Sequence, residues 1–179
     1  LETDLLLKFL ENVCDEVARN GFKKIILLNG HGGNLALLKL FSQHLVDKGK
    51  DYAVYVPPIF LAPEVIEEVR ETPETGHACE IETSVALYLY PELCKMERIP
   101  EGFYSSMKDY DVSPAVTSID WPASYPHAYV GDAKKATREK GRRIVEAHME
   151  KLVDMIRKIK RDNRVLAEIK EFSARASNP

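Results

Sequence analysis

Apolar residues at Leu6, Leu7, Leu10, Val13, Cys14 and Val17 recur at helical spacing. They predict a first helix from Thr3 or Asp4 to about Asn20, with all six on its buried stripe. Asn20-Gly21 stops it, because glycine is the common residue just past a helix end. The run Lys24-Ile25-Ile26-Leu27-Leu28 lacks polar alternation and predicts a strand buried on both faces. Leu35, Leu37, Leu38, Leu40, Phe41 and Leu45 return to helical spacing, so a second helix is expected over 35–48, with Asn34 as its N-cap. Tyr52-Ala53-Val54-Tyr55-Val56 predicts a second strand, closed by Pro57-Pro58, which cannot continue a central ladder. Helix, strand, helix, strand at these lengths gives a parallel sheet covered by helices, the α/β class.

Further along, a short helix is expected over 64–70 and another over 78–90, whose apolar face is Ile81, Val85, Tyr88 and Leu89. From 91 to 132 the patterning fades and Pro, Tyr, Ser and Asp accumulate. Loops this long within a domain are more often functional or interface-forming than idle. Val116, Ile119 and Trp121 are the residues expected to pin it to the body. Asp132 or Thr137 then starts a long helix with Ile144, Val145, Met149, Leu152, Val153, Ile156 and Ile159 on one side, and a short helix follows Arg164.

At 179 residues the chain is expected to be a single domain, 1–179. A net charge of −3 gives no electrostatic case for nucleic acid or an anionic membrane. The lysines and arginines of the last long helix alternate with Glu and Asp, as on a solvated face. No apolar run approaches the ~20 residues of a membrane span. Three cysteines, none in Cys-x-x-Cys spacing, suit reduced thiols, and with no leader pattern a cytoplasmic location is expected.

Two stretches carry the candidate chemistry. Asn29-Gly30-His31-Gly32-Gly33-Asn34 lies between the first strand and its helix, where open α/β sheets bind ligands. Its glycines leave the imidazole uncrowded. The alternative for this turn is a metal-free cradle for a phosphate or nucleotide at the helix N-terminus. In Thr75-Gly76-His77-Ala78-Cys79-Glu80-Ile81-Glu82-Thr83-Ser84, one imidazole and two carboxylates gather at the start of a helix. Glu80 and Glu82 stand about 200° apart on that helix, so only one can face a cleft. Glu80 is expected to be a first-turn acid that favours the helix dipole and does nothing more. An imidazole with a carboxylate suits Zn, Mn or Fe, but a catalytic zinc usually keeps three protein ligands. Asp132, His127 and Asp120 in the long loop are the remaining candidates.

These two stretches, followed by Tyr129-Val130-Gly131-Asp132-Ala133-Lys134-Lys135-Ala136-Thr137 and on to Arg143, resemble the creatininase family in order and spacing. The resemblance implies a three-layer α/β/α fold with a mainly parallel sheet, and a centre of two divalent metal ions (Zn, Mn or Fe). It implies hydrolysis of a C–N amide bond in a small cyclic amide or formamide, and a homo-oligomer, commonly a hexamer. By the same resemblance His31 and Glu82 are metal ligands and His77 is the catalytic group that moves the proton. Backbone N–H groups of the Gly30–Gly33 turn, those of Gly32 and Gly33 above all, are expected to help hold the substrate oxyanion. Cys79 stands where the family usually has glycine. Members acting on creatinine carry Tyr-Glu in place of Gly32-Gly33 and aromatic residues in place of Pro73-Glu74-Thr75, so creatinine is not the expected substrate. The family's N-terminal segment, with a Glu-x-His ligand pair and a bridging Asp, is expected to precede Leu1. The chain on its own is then expected to be an inactive fragment of the metal site.

Overall fold

The predicted order of elements is present in the computed structural model, which describes residues 2–102 and 104–177 and divides into two units, Leu1–Leu61 with Leu152–Pro179, and Ala62–Lys151. In the first unit, helix α1 (Thr3–Arg19) closes at Gly21, whose φ of +95° only glycine adopts cheaply. Strand β1 (Lys24–Ile26) leads through a short 3-10 turn, Gly32–Asn34, into helix α2 (Leu35–Asp47). Strand β2 (Ala53–Tyr55) returns parallel to β1, with Ile25 opposite Val54. Cys14 and Ala18 of α1, Ile25 of β1, Phe41 and Leu45 of α2, and Tyr52 form one buried cluster between sheet and helices. Removing the Phe41 ring from water stabilises it by about 2–3 kcal/mol. Helix α6 (Arg138–Arg161) ends in this unit, where Lys24 Nζ donates to the carbonyls of Ile159 (2.9 Å) and Lys160 (2.8 Å).

Three expectations need correction here. The strand is shorter than the apolar run: it ends at Ile26, and Leu28 is 57% exposed. Within β1 only Ile25 is buried, with Lys24 and Ile26 half-buried, so the run is not buried on both faces. Val13 is exposed, because it is the outermost residue of the α1 stripe. Asn34 makes no side-chain cap; its Nδ2 turns back to Asn29 instead.

A polar cluster closes the side of this core. Lys50 reaches Glu11 (2.7 Å) and Asp15 (2.8 Å), His44 lies 3.1 Å from Glu11, and the Tyr52 hydroxyl donates to Asp15 (2.8 Å). The Lys50 ammonium, helped by His44, holds the Glu11 carboxyl down at about 2, against an ordinary 4.5. A carboxyl held low in the folded state stabilises it fully above the unfolded value, and that contribution fades as pH falls. Unfolding titrations should therefore show stability falling between pH 4.5 and about 2, with a shallower fall in Glu11→Gln. Parallel slopes in the two proteins would refute this assignment.

In the second unit, α3 (Pro63–Val69), α4 (Glu80–Leu89) and the start of α6 are joined by irregular chain with 3-10 turns at Pro91–Leu93, Met96–Arg98 and Ala133–Lys135. The backbones of α4 and α6 nearly touch at Gly141, where an added Cβ would lie 1.8 Å from the Ser84 carbonyl oxygen. Ser84 is fully buried and its Oγ accepts from the Thr137 N–H (3.1 Å). The long loop contains a short helix that patterning missed, α5 (Asp120–Ser124). Val116, Ile119 and Trp121 do not pin it, since they are 88%, 55% and 51% exposed. Polar contacts hold it instead. Asp120 accepts from the Thr117 N–H (2.7 Å), Lys108 (3.3 Å) and the Tyr110 hydroxyl (3.3 Å), and the Met107 N–H donates to the Ser124 carbonyl (2.8 Å). No described helix is long and apolar enough to cross a membrane.

Candidate functional site

The first-unit turn is built on Asn29. This residue is buried, and its Oδ1 accepts from the His31 N–H (3.2 Å) and from Asn34 Nδ2 (3.3 Å), which draws the glycine turn into a closed loop. Its own Nδ2 is buried with no hydrogen-bond partner among the described residues. His31 is exposed and extended (φ −153°), and its Nδ1 accepts from the Gly33 N–H (3.1 Å). A Cβ on Gly33 would come within 3.1 Å of that nitrogen, so the glycine is what lets the ring fold back on the turn. The Gly33 N–H is thus occupied in orienting His31.

The second-unit turn is under strain. Ala78 has φ +53°, in the left-handed region that costs a residue with a Cβ about 1–2 kcal/mol. Three contacts offset that cost. Glu82 Oε2 accepts from the Ala78 N–H (2.7 Å), the Thr83 hydroxyl donates to the Ala78 carbonyl (3.1 Å), and the Val130 N–H donates to the His77 carbonyl (3.0 Å). Gly76 is required beneath the turn, since a Cβ there would lie 2.7 Å from Val130 Cβ. The outcome is that His77 Nδ1 stands 3.6 Å from Glu82 Oε2, with both side chains partly open to solvent. An imidazole beside a carboxylate can hold or pass a proton, and the same pair can offer donors to a cation.

Glu80 is not a bystander. It is fully buried, accepts from the N–H groups of Glu71 and Thr72 and from the Thr72 hydroxyl (2.7 Å), and pairs with Lys140 from α6. Burial works to raise its carboxyl, but Lys140 and the Thr72 and Glu71 donors outweigh it and hold the group below the ordinary carboxylate value. So of the two acids that helical geometry separates, Glu80 clamps the turn from inside and Glu82 faces outward.

Asp120 is committed to the loop, Asp132 accepts from the Lys134 N–H (2.9 Å), and His127 is exposed on the chain after α5. Among the described residues no group of three or more His, Cys, Asp and Glu side chains is gathered to hold a metal ion. His31 and Glu82 are donors of the right chemical type, but the donor set does not amount to a whole metal site.

Sequence reasoning passed over the surroundings of His77. Trp121 meets its ring edge-to-face (centroids 6.2 Å, 76°), Tyr125 lies against Trp121 (4.7 Å), and the Tyr125 hydroxyl donates to Glu74 (3.2 Å). The available signal was the i,i+4 spacing of Trp121 and Tyr125 behind Asp120, a one-turn helix too short for periodicity to register.

The creatininase family model, described as creatinine amidohydrolase, matches residues 1–156. Creatinine amidohydrolase of Pseudomonas putida is 30% identical over 165 residues, covering 83% of this chain and 60% of the relative. 3-Dehydro-scyllo-inosose hydrolase of Thermotoga maritima is 28% identical, covering 90% of this chain and 57% of the relative. A solved structure from Bacteroides fragilis, assigned to the creatinine amidohydrolases, superposes with a TM-score of 0.76 at 26% identity, over 91% of this chain and 64% of that one. Creatininase structures in a Zn–Zn form and a Mn form superpose at 0.68 and 0.66. The chain therefore spans about 60% of the length of the curated relatives it matches. The α/β fold is creatininase-like. With the order of the motifs and the match over residues 1–156 in agreement, the chain belongs to the creatininase family.

Proposed function

We propose that the protein containing this chain is a metal-dependent amidohydrolase that cleaves a C–N amide bond in a small cyclic amide or formamide other than creatinine. The observation that carries this reading is His77 held 3.6 Å from Glu82 on a strained turn, in a member of a family of hydrolases. With Nδ1 turned toward Glu82, Nε2 is the atom that gives a proton to the leaving nitrogen, which general acid catalysis rewards by about 10²–10⁴ in rate. Glu82 Oε2 accepts from the Ala78 N–H and lies beside the imidazole, and Glu80 fixes the turn beneath it. Backbone N–H groups of Gly32 and Gly33 are the proposed oxyanion donors, with the Gly33 group serving His31 in the present arrangement.

His31 and Glu82 are the proposed ligands from this chain, and the Zn–Zn and Mn forms of solved creatininases support divalent ions. Bound metal would supply Lewis-acid polarisation and an acidified water. Ligands beyond these two are part of the same proposal, since a catalytic zinc usually keeps three from the protein. A homo-oligomer and a cytoplasmic location belong to the same proposal.

Elemental analysis of the purified protein tests it. His31→Ala should lose metal affinity by more than about 100-fold, since even outer-shell changes cost 10–100-fold, and lose amide hydrolysis with it. His77→Gln should keep its metal and lose turnover. Unchanged metal content in His31→Ala would overturn the ligand assignment.

A further inference from the structure

The indole of Trp121, the sole tryptophan of this sequence, is 51% exposed, although it is the kind of side chain that folding usually covers. It is nevertheless firmly held. Asp120 fixes the start of α5 through Thr117, Lys108 and Tyr110, and buried Ser124 fixes its end through Met107. Behind it, Tyr125 packs at 4.7 Å and is tied by its hydroxyl to Glu74, three residues before His77. Burial and the Glu74 carboxylate both push the Tyr125 phenol up, so it stays a neutral donor in that bond. Five polar contacts and an aromatic backing thus keep an open indole edge-to-face with His77, whose imidazole adjoins Glu82. Nothing in the folding of α5 requires that exposure, because the loop is held by Asp120 and Ser124 and not by the indole.

Resting on the hydrolase reading, we propose that Trp121 is a specificity-determining residue, the aromatic wall on which a flat cyclic amide lies while its ring nitrogen faces His77. Stacking on an indole favours planar π systems over puckered polyols. Glu74 and Tyr125 are positioning residues, acting only through the indole.

The test uses hydantoin, a flat uncharged cyclic amide, and myo-inositol, a puckered polyol, titrated calorimetrically into the full-length protein. Hydantoin should bind and myo-inositol should not. Trp121→Ala should weaken hydantoin by about five- to tenfold, Trp121→Phe should recover most of that loss, and metal content should be the same in all three proteins. Because the side chain is half exposed, both variants should keep the wild-type thermal midpoint to within a few degrees. Equal hydantoin affinity in Trp121→Ala would overturn the wall, as would equal binding of the two probes by wild type. A drop in assembly mass in Trp121→Ala with unchanged hydantoin affinity would also overturn it, by marking the indole as a subunit contact. These outcomes are separable from the hydrolase reading. A wild-type protein without metal or turnover sinks that reading while ring affinity still judges Trp121, and an unaltered ring affinity sinks the wall while metal and turnover stand.

Discussion

Lys140→Met should cost about 3–5 kcal/mol of stability, because it leaves the fully buried Glu80 carboxylate without its cation. The cost should fall toward the lower end, since Thr72 and Glu71 still donate hydrogen bonds to that carboxylate. The pH dependence identifies the mechanism. Glu80 is held below its ordinary value, so its contribution is present above the unfolded carboxylate range and is lost as pH falls through it. Burial works against the charge on Lys140, but Glu71 and Glu80 outweigh it and raise the group, so its contribution is present at neutral pH and is lost only as pH rises past the lysine range. The deficit of Lys140→Met relative to wild type should therefore be largest near neutrality and narrow on acidification, as Glu80 takes up a proton and no longer needs a partner. Chemical denaturation at several pH values measures it. A deficit that is flat with pH would mean that lost packing of the lysine stem, not an uncompensated charge, is responsible.

Gly141→Ala should be at least as damaging. Alanine is the better helix former by about 1 kcal/mol, so propensity alone predicts a gain. The crossing reverses that sign. A Cβ at this position falls 1.8 Å from the Ser84 carbonyl oxygen and 3.0 Å from Tyr88 Cβ, and the first of these is backbone that cannot rotate away. Helices α4 and α6 would have to separate, breaking the bond from the Thr137 N–H to Ser84 Oγ and moving the helix that carries Glu82. Overpacking costs of 1–3 kcal/mol apply where side chains can adjust, so a backbone collision should exceed about 3 kcal/mol. A thermal midpoint at or above that of wild type would show that the two helices are not in contact at Gly141.

The candidate site was legible in the sequence to the extent that it is local. His31 between glycines and His77 five residues before Glu82 can be read directly, because turn chemistry and helix entry depend on neighbours along the chain. Helix α1, the order β1–α2–β2 and the long α6 were legible for the same reason, their apolar periodicity being a local property. Local reading failed where a residue's partner lies far away. Glu80 looked like any first-turn acid, yet Lys140, sixty residues later, makes it the buried clamp of the turn. Trp121 looked like an anchor, yet Asp120, Ser124 and Tyr125 hold the loop and leave the indole open beside His77.

The sequence by itself determined where the longer helices and the two strands lie, though not the end of β1 or the short α5, and which side chains can do chemistry, since both follow from spacing and residue type. Tertiary structure alone decided which acid is buried and which faces out, where two helices touch closely enough to demand Gly141, and which aromatic stands next to the imidazole. Those outcomes depend on desolvation and steric contact between residues remote in sequence, and neither quantity exists until the chain has folded.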